Sequence, residues 1–185
     1  MWQYSFAPNY KTNFMASLAD VFRALNALRD EGIVENYAIG DGMAALFYAE
    51  TMRTYDVDVF VLIASEGLLV SLSAIYEWAE RNGYETQAEH ILICGVPVQF
   101  LAAAPGLESE AVAQANTLDY DGVPVAVMRP EHLAVISVLA GSGKRRERAH
   151  ALFEADAISE STLSSLLQRH NLLDAWRGKW EKFNE

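Results

Sequence analysis

A run of eight residues, Asp56-Val57-Asp58-Val59-Phe60-Val61-Leu62-Ile63, constrains the fold more than any other part of the chain. As a strand it puts Val57, Val59, Val61 and Ile63 on one face and Asp56, Asp58, Phe60 and Leu62 on the other. The first face is apolar throughout. The second is acidic at its start and apolar at its end, which suits a strand that enters from an open cleft and leaves beneath packing. Two carboxylates at i and i+2 lie about 6–7 Å apart on one face, and a cation between or above them best relieves their repulsion. Magnesium suits such a pair, because it commonly takes one or two carboxylates and completes its shell with water and substrate phosphate. The plainer reading stands beside it: alternating Asp and Val is ordinary on a half-exposed strand.

The segment before this strand has its own chemistry. Gly40-Asp41-Gly42 is a turn opening onto an Ala-rich helix expected from Met43 to Glu50. Such a turn brings backbone N–H groups and a helix start toward the strand, the usual physical means of holding phosphate. Ala44, Ala45 and Ala49 keep the helix slim enough to lie close to a sheet, although helix propensity explains them equally well. Arg53 and Thr54 then lead directly into the acidic strand, where Arg53 is placed to meet a phosphate or an aspartate.

The rest of the chain alternates helices and strands, which predicts an α/β layer. A first helix is expected from an Asn13 cap to Arg29, with Leu18, Val21, Leu25 and Leu28 on one stripe. A short strand is expected at Tyr37 to Ile39. After the acidic strand come a turn at Ser65-Glu66-Gly67 and a helix to about Arg81. Strands at His90–Cys94 and Val96–Ala103 follow, the second with Val98 and Phe100 on one face and Gln99 and Leu101 on the other. If that strand lies beside the acidic one, Gln99 sits across from the carboxylates. Its amide can coordinate or donate weakly, but it cannot act as a strong base. A helix is expected at Leu107–Ala115, then a hairpin at Asn116–Met128 turning at Asp121-Gly122. Helices opened by Arg129-Pro130-Glu131 run on to Phe183, broken at Gly141-Ser142-Gly143 and near Asn171.

Composition narrows the partners. A formal net charge of −11 opposes non-specific binding to duplex DNA or to an anionic membrane. The one obvious basic run is Lys144-Arg145-Arg146-Glu147-Arg148, a solvated helix face or a phosphate contact, with Lys144 and Arg148 the best placed. The single cysteine, Cys94, cannot close an intramolecular disulfide; it reads as a buried thiol in a protein of the reducing cytoplasm. The N-terminus lacks the pattern of a signal peptide, and no apolar stretch reaches membrane-spanning length. Gly141-Ser142-Gly143-Lys144 is not a P-loop, since Val138 and Arg145 stand where Gly and Ser/Thr are required. The four histidines lack the spacing of a zinc site.

A glycine-containing helix start, an Arg53-Thr54 link and an Asp-x-Asp strand together resemble the nucleotidyltransferase fold, especially minimal bacterial members related to abortive-infection toxins. Val96–Leu101, Arg129–Leu133 and Arg169–Leu172 carry the resemblance further. It implies a mixed β-sheet flanked by helices over residues 1–129, with a C-terminal helical extension over 130–185. It also implies Mg²⁺ on Asp56 and Asp58 and the triphosphate on Gly40; Gly42, Arg53, Thr54 and Gln99 complete the candidates for holding an NTP. Lys144 is expected to neutralise developing charge, which makes Asp56, Asp58 and Lys144 the catalytic candidates. The implied reaction moves a nucleotide monophosphate to a hydroxyl on RNA, protein or a small molecule.

Three positions depart from the family's usual pattern: Asp41 replaces a second glycine, Gln99 a third carboxylate, and Lys144-Arg145 a Lys-Asp pair. Unless a metal or an Arg neutralises it, Asp41 repels phosphate. The alternative is therefore a catalytically degenerate member that senses nucleotides or binds a protein partner or a second copy of itself, as in toxin–antitoxin systems.

Overall fold

The computed structural model describes residues 10–49, 54–63 and 71–184. Within them lie eight helices and a seven-stranded mixed sheet. In chain order these are α1 (Tyr10–Asp30), β1 (Asn36–Ile39), α2 (Asp41–Ala45), β2 (Val57–Leu62), α3 (Ser73–Arg81), β3 (Glu85–Gln87), β4 (His90–Ile93) and β5 (Val96–Ala102). They continue with α4 (Leu107–Ala113), β6 (Asn116–Tyr120), β7 (Val123–Val127), α5 (Pro130–Ala140), α6 (Gly143–Glu154), α7 (Glu160–Arg169) and α8 (Leu173–Asn184).

The sheet order is β3-β4-β5-β2-β1-β7-β6, which puts the acidic strand at the centre. β2 runs antiparallel to β1 and parallel to β5. Its two faces separate as the alternation requires: Val57, Val59 and Val61 are fully covered, while Asp58 is half-buried. Directly paired residues share a face, so Tyr37, opposite Val61, points the same way. The Tyr37 hydroxyl donates to Asn26 Oδ1 at 2.8 Å, which places α1 over this apolar face. Val21, Phe22, Leu25 and Leu28 of α1 are completely buried there. The face that bears Phe60 receives α2 and α4, and α5 packs against both of them.

Turn chemistry fixes the ends. Asp121 and Gly122 both have positive φ, as a two-residue hairpin turn requires. Cys94 and Gly95 do the same between β4 and β5, with φ of 53° and 79°. The expected buried thiol is thereby corrected: Cys94 is exposed, because the apolar run around it ends in a tight turn rather than continuing through the core. Pro130 begins α5, and Gly141, left-handed at φ 75°, ends it. Ser142 and Ser159 cap α6 and α7 through their hydroxyls. α4 is tied to α7 by Glu110, which accepts from Arg169 Nη2 at 2.5 Å and meets His170 at 2.7 Å. Arg169 and His170 hold its carboxyl down at about 2.

Other expectations shift in detail. α1 starts at Tyr10, so Asn13 lies inside it rather than capping it. α2 is five residues long, not the eight expected from Met43 to Glu50; its alanines allow a helix but do not set its end. The turn at 65–67 lies outside the described residues, and α3 begins at Ser73. β3 has no counterpart in the sequence reading, since Glu85, Thr86 and Gln87 are all exposed and carry no apolar alternation. One buried cluster joins the sheet to the C-terminal helices, from Val59 and Val125 to Leu133, Leu152 and Leu166. No helix among the described residues is long and apolar enough to cross a membrane.

Candidate active site

The acidic end of β2 opens into a cleft of about 1020 Å³. Its walls bring together Asp41, Gly42, Thr54, Asp56 and Asp58 with Lys144, Glu147 and Arg148 of α6, and with Gln87, His90 and Pro97 on the far side. Of the residues singled out from sequence, Asp56, Asp58, Gly42, Thr54 and Lys144 therefore line one cavity. Arg53 lies outside the described residues.

The carboxylate pair is set by the strand and by its approach. Thr54 Oγ1 donates to Asp56 Oδ1 at 2.8 Å and fixes that side chain at the cleft mouth. Asp58 is held deeper. Burial, and then the charge of Asp56, raise its carboxyl from 3.8 to about 6, with Arg145 and His90 pulling the other way. The pair is thus short of positive charge.

Two arginines are nearby but already engaged. Asp41 sits at φ 46°, a left-handed conformation that Asp tolerates better than most residues. From there its Oδ2 accepts from Arg145 Nε at 3.1 Å and pairs with Nη2 at 3.0 Å, and its Oδ1 pairs with Arg148. Burial lowers the pKa of the Arg148 guanidinium. The acid between the two glycines is therefore neutralised by two arginines of α6, the first of them 104 residues further along the chain.

The two glycines serve different ends. A Cβ on Gly42 would stand 3.0 Å from Arg148 Nη2 and 3.1 Å from Thr54 Oγ1, so its absence lets both groups close on the turn. Gly40 does not line the cleft. Its N–H donates to the Asp58 carbonyl at 2.9 Å, and a Cβ there would meet the Phe60 ring at 2.6 Å. The structure gives Gly40 a packing task in place of the open phosphate-binding amide expected from sequence. Gly40→Ala is expected to destabilise the fold by about 1–3 kcal/mol, read as a lower denaturation midpoint in urea.

Gln99 pairs directly with Asp58 across the parallel β2–β5 ladder, as the sequence reading supposed, but it does not line the cleft. Sequence reasoning did not single out Gln87, His90, Glu147 or the role of Arg145. The only available signal was the two-residue turn at Cys94-Gly95, which fixes His90 opposite Gln99 once β4 and β5 are paired.

A family model described as a nucleotidyl transferase of unknown function, DUF2204, matches residues 17–170. The chain is similar to the crystal structure of an antigenic nucleotidyltransferase-like protein from Paracoccidioides brasiliensis. The TM-score is 0.58 at 16% identity, over 89% of this chain and 93% of that one. It is also similar to ANT(2")-Ia in complex with adenylyl-2"-tobramycin, with a TM-score of 0.52 at 15% identity, over 88% of this chain and 98% of that one. No curated protein matches it in sequence. At these identities the structural likeness is one of fold, a nucleotidyltransferase-like mixed sheet flanked by helices.

Proposed function

The chain belongs to the DUF2204 family of nucleotidyl transferases, and on that premise we propose that it moves a nucleoside monophosphate from an NTP to an acceptor hydroxyl with the help of Mg²⁺. The observation that carries this reading is the crowded carboxylate pair, Asp56 and Asp58, facing Lys144 and Arg148 across one cleft. The donors fit the ion. Asp56 and Asp58 would supply carboxylate oxygens to the ion, and phosphate and water the rest. That is the habit of magnesium rather than zinc. When bound, such an ion polarises phosphoryl oxygens and offsets the charge that builds on them.

The protein's own groups would do the rest. Lys144 and Arg148 would take the oxygens of the departing phosphates, and Gly42, lacking a Cβ, would let Arg148 and Thr54 stay close beside that tail. Thr54 would keep Asp56 in place. Placing donors before the reaction starts is where most of the rate advantage of such a site arises.

Asp41 and Gln99 favour a second reading, because one occupies the arginines and the other offers no strong base. Under it the chain is a cytoplasmic nucleotide sensor or toxin–antitoxin module that binds NTP without transfer.

Calorimetric titration of NTP, with and without Mg²⁺, tests the shared premise. Binding should need Mg²⁺ and fall by about tenfold or more when Asp56 and Asp58 are both replaced by Asn. Label passing from α-labelled NTP to an acceptor then selects transfer over sensing. NTP binding that ignores Mg²⁺ in the parent protein would remove both readings.

A further inference from the structure

We infer that His90 is the general base that takes the proton from the acceptor hydroxyl, an inference that rests on the transfer reading above. The argument is one of position in the sheet. Asp58 pairs with Gln99, Gln99 with His90, and His90 with Gln87, so the four form a single row across β2, β5, β4 and β3, of which Asp58, His90 and Gln87 line the cleft. Neighbouring strands lie about 4.8 Å apart, which puts the His90 backbone about two strand spacings from Asp58. The space above Gln99 lies between them.

The cleft has a phosphate side and an opposite side. Asp41 and Gly42 follow β1, on one flank of β2, and are met there by Lys144, Arg145 and Arg148 of α6. β5 and β4 lie on the other flank. In phosphoryl transfer the attacking and leaving oxygens stand roughly in line on opposite sides of phosphorus. If the leaving phosphates lie over β1 and α6, the attacking hydroxyl comes in over β5 and β4.

On that flank few side chains can accept a proton. Gln99 is a neutral amide, which cannot deprotonate a hydroxyl. Gln87 is the same, and Pro97 has no polar side chain. His90 carries an imidazole, the side chain most often used as a general base. Glu147 is the competing base in the cleft, but it shares α6 with Lys144 and Arg148 and so belongs to the leaving-group side.

The step balances without further reactants. The acceptor oxygen forms a bond to the α-phosphorus while the bond to the bridging oxygen breaks. Pyrophosphate leaves with that electron pair, and the hydroxyl proton passes to His90 and then to solvent.

The test uses the full chain with Mg²⁺ and α-labelled NTP, water serving as the acceptor, and follows release of NMP and pyrophosphate. His90→Gln should lower kcat by about 10²-fold or more, while calorimetric NTP affinity stays within about twofold of the parent. Added imidazole should restore much of the rate to His90→Ala, which a merely structural role would not allow. Unchanged turnover in His90→Gln overturns the assignment and leaves the transfer reading standing. A rate loss matched by lost NTP affinity, or no response to imidazole, also overturns it. A parent protein that releases no pyrophosphate overturns the transfer reading and this one together.

Discussion

Asp58→Asn should make the metal-free protein more stable and much less active. The wild-type carboxyl titrates at about 6 because burial and Asp56 disfavour its charge. Between 3.8, where the unfolded group titrates, and about 6, the folded state binds more protons than the unfolded one. Stability therefore rises through this group as pH falls from 7 toward 4, and the full penalty of the charge is present above 6. At full burial that penalty would be about 3 kcal/mol, and partial solvent access reduces it to about 1–2 kcal/mol. Urea unfolding at pH 8 should show the Asn variant more stable by that amount, and at pH 4 the two proteins should converge. Activity moves the other way, since a neutral amide cannot hold a divalent ion as a carboxylate does. A loss of about 10²-fold or more in nucleotide-dependent turnover is expected. A variant less stable than the parent at pH 8 would mean that Asp58 is already compensated by something other than a cation.

The second large effect concerns Asp41. Its carboxylate occupies Arg145 and Arg148, so under the proposed function an incoming NTP would have to compete with an acid that belongs to the chain. Asp41→Asn keeps the side-chain shape and tolerates the same left-handed backbone, yet removes the competing charge. NTP and pyrophosphate affinity should rise about ten- to a hundredfold, equivalent to about 1.4–3 kcal/mol. The ligand-free variant should in turn unfold more easily, because Arg148 is left largely buried with its partner gone. Thermal melting with and without pyrophosphate reads both effects at once. A fall in NTP affinity would show instead that Asp41 steadies the arginines for the phosphate rather than excluding it.

The parts of this arrangement that sequence foretells are those governed by short-range periodicity. The two faces of β2, the two faces of β5 and the turn at Asp121-Gly122 follow from alternation and from residues that accept positive φ. The pairing of Gln99 with Asp58 was within reach for the same reason, since each strand's faces were known before their neighbours were. What escapes is set by distance along the chain. Nothing near Asp41 announces that Arg145 and Arg148 close on it, although its acidity demanded a neutralising partner. His90 carries no local mark either, because its meaning depends on three strands lying side by side. α2 and Cys94 mislead for a plainer reason: alanine content does not say where a helix stops, and an apolar run does not say where a turn interrupts it.

The amide proton of Gly40, tied to the carbonyl of Asp58, exchanges with heavy water only when β1 and β2 part at that point. A single backbone signal thus keeps watch over the Gly40-Asp41-Gly42 turn and the acidic strand together, with no probe attached to either.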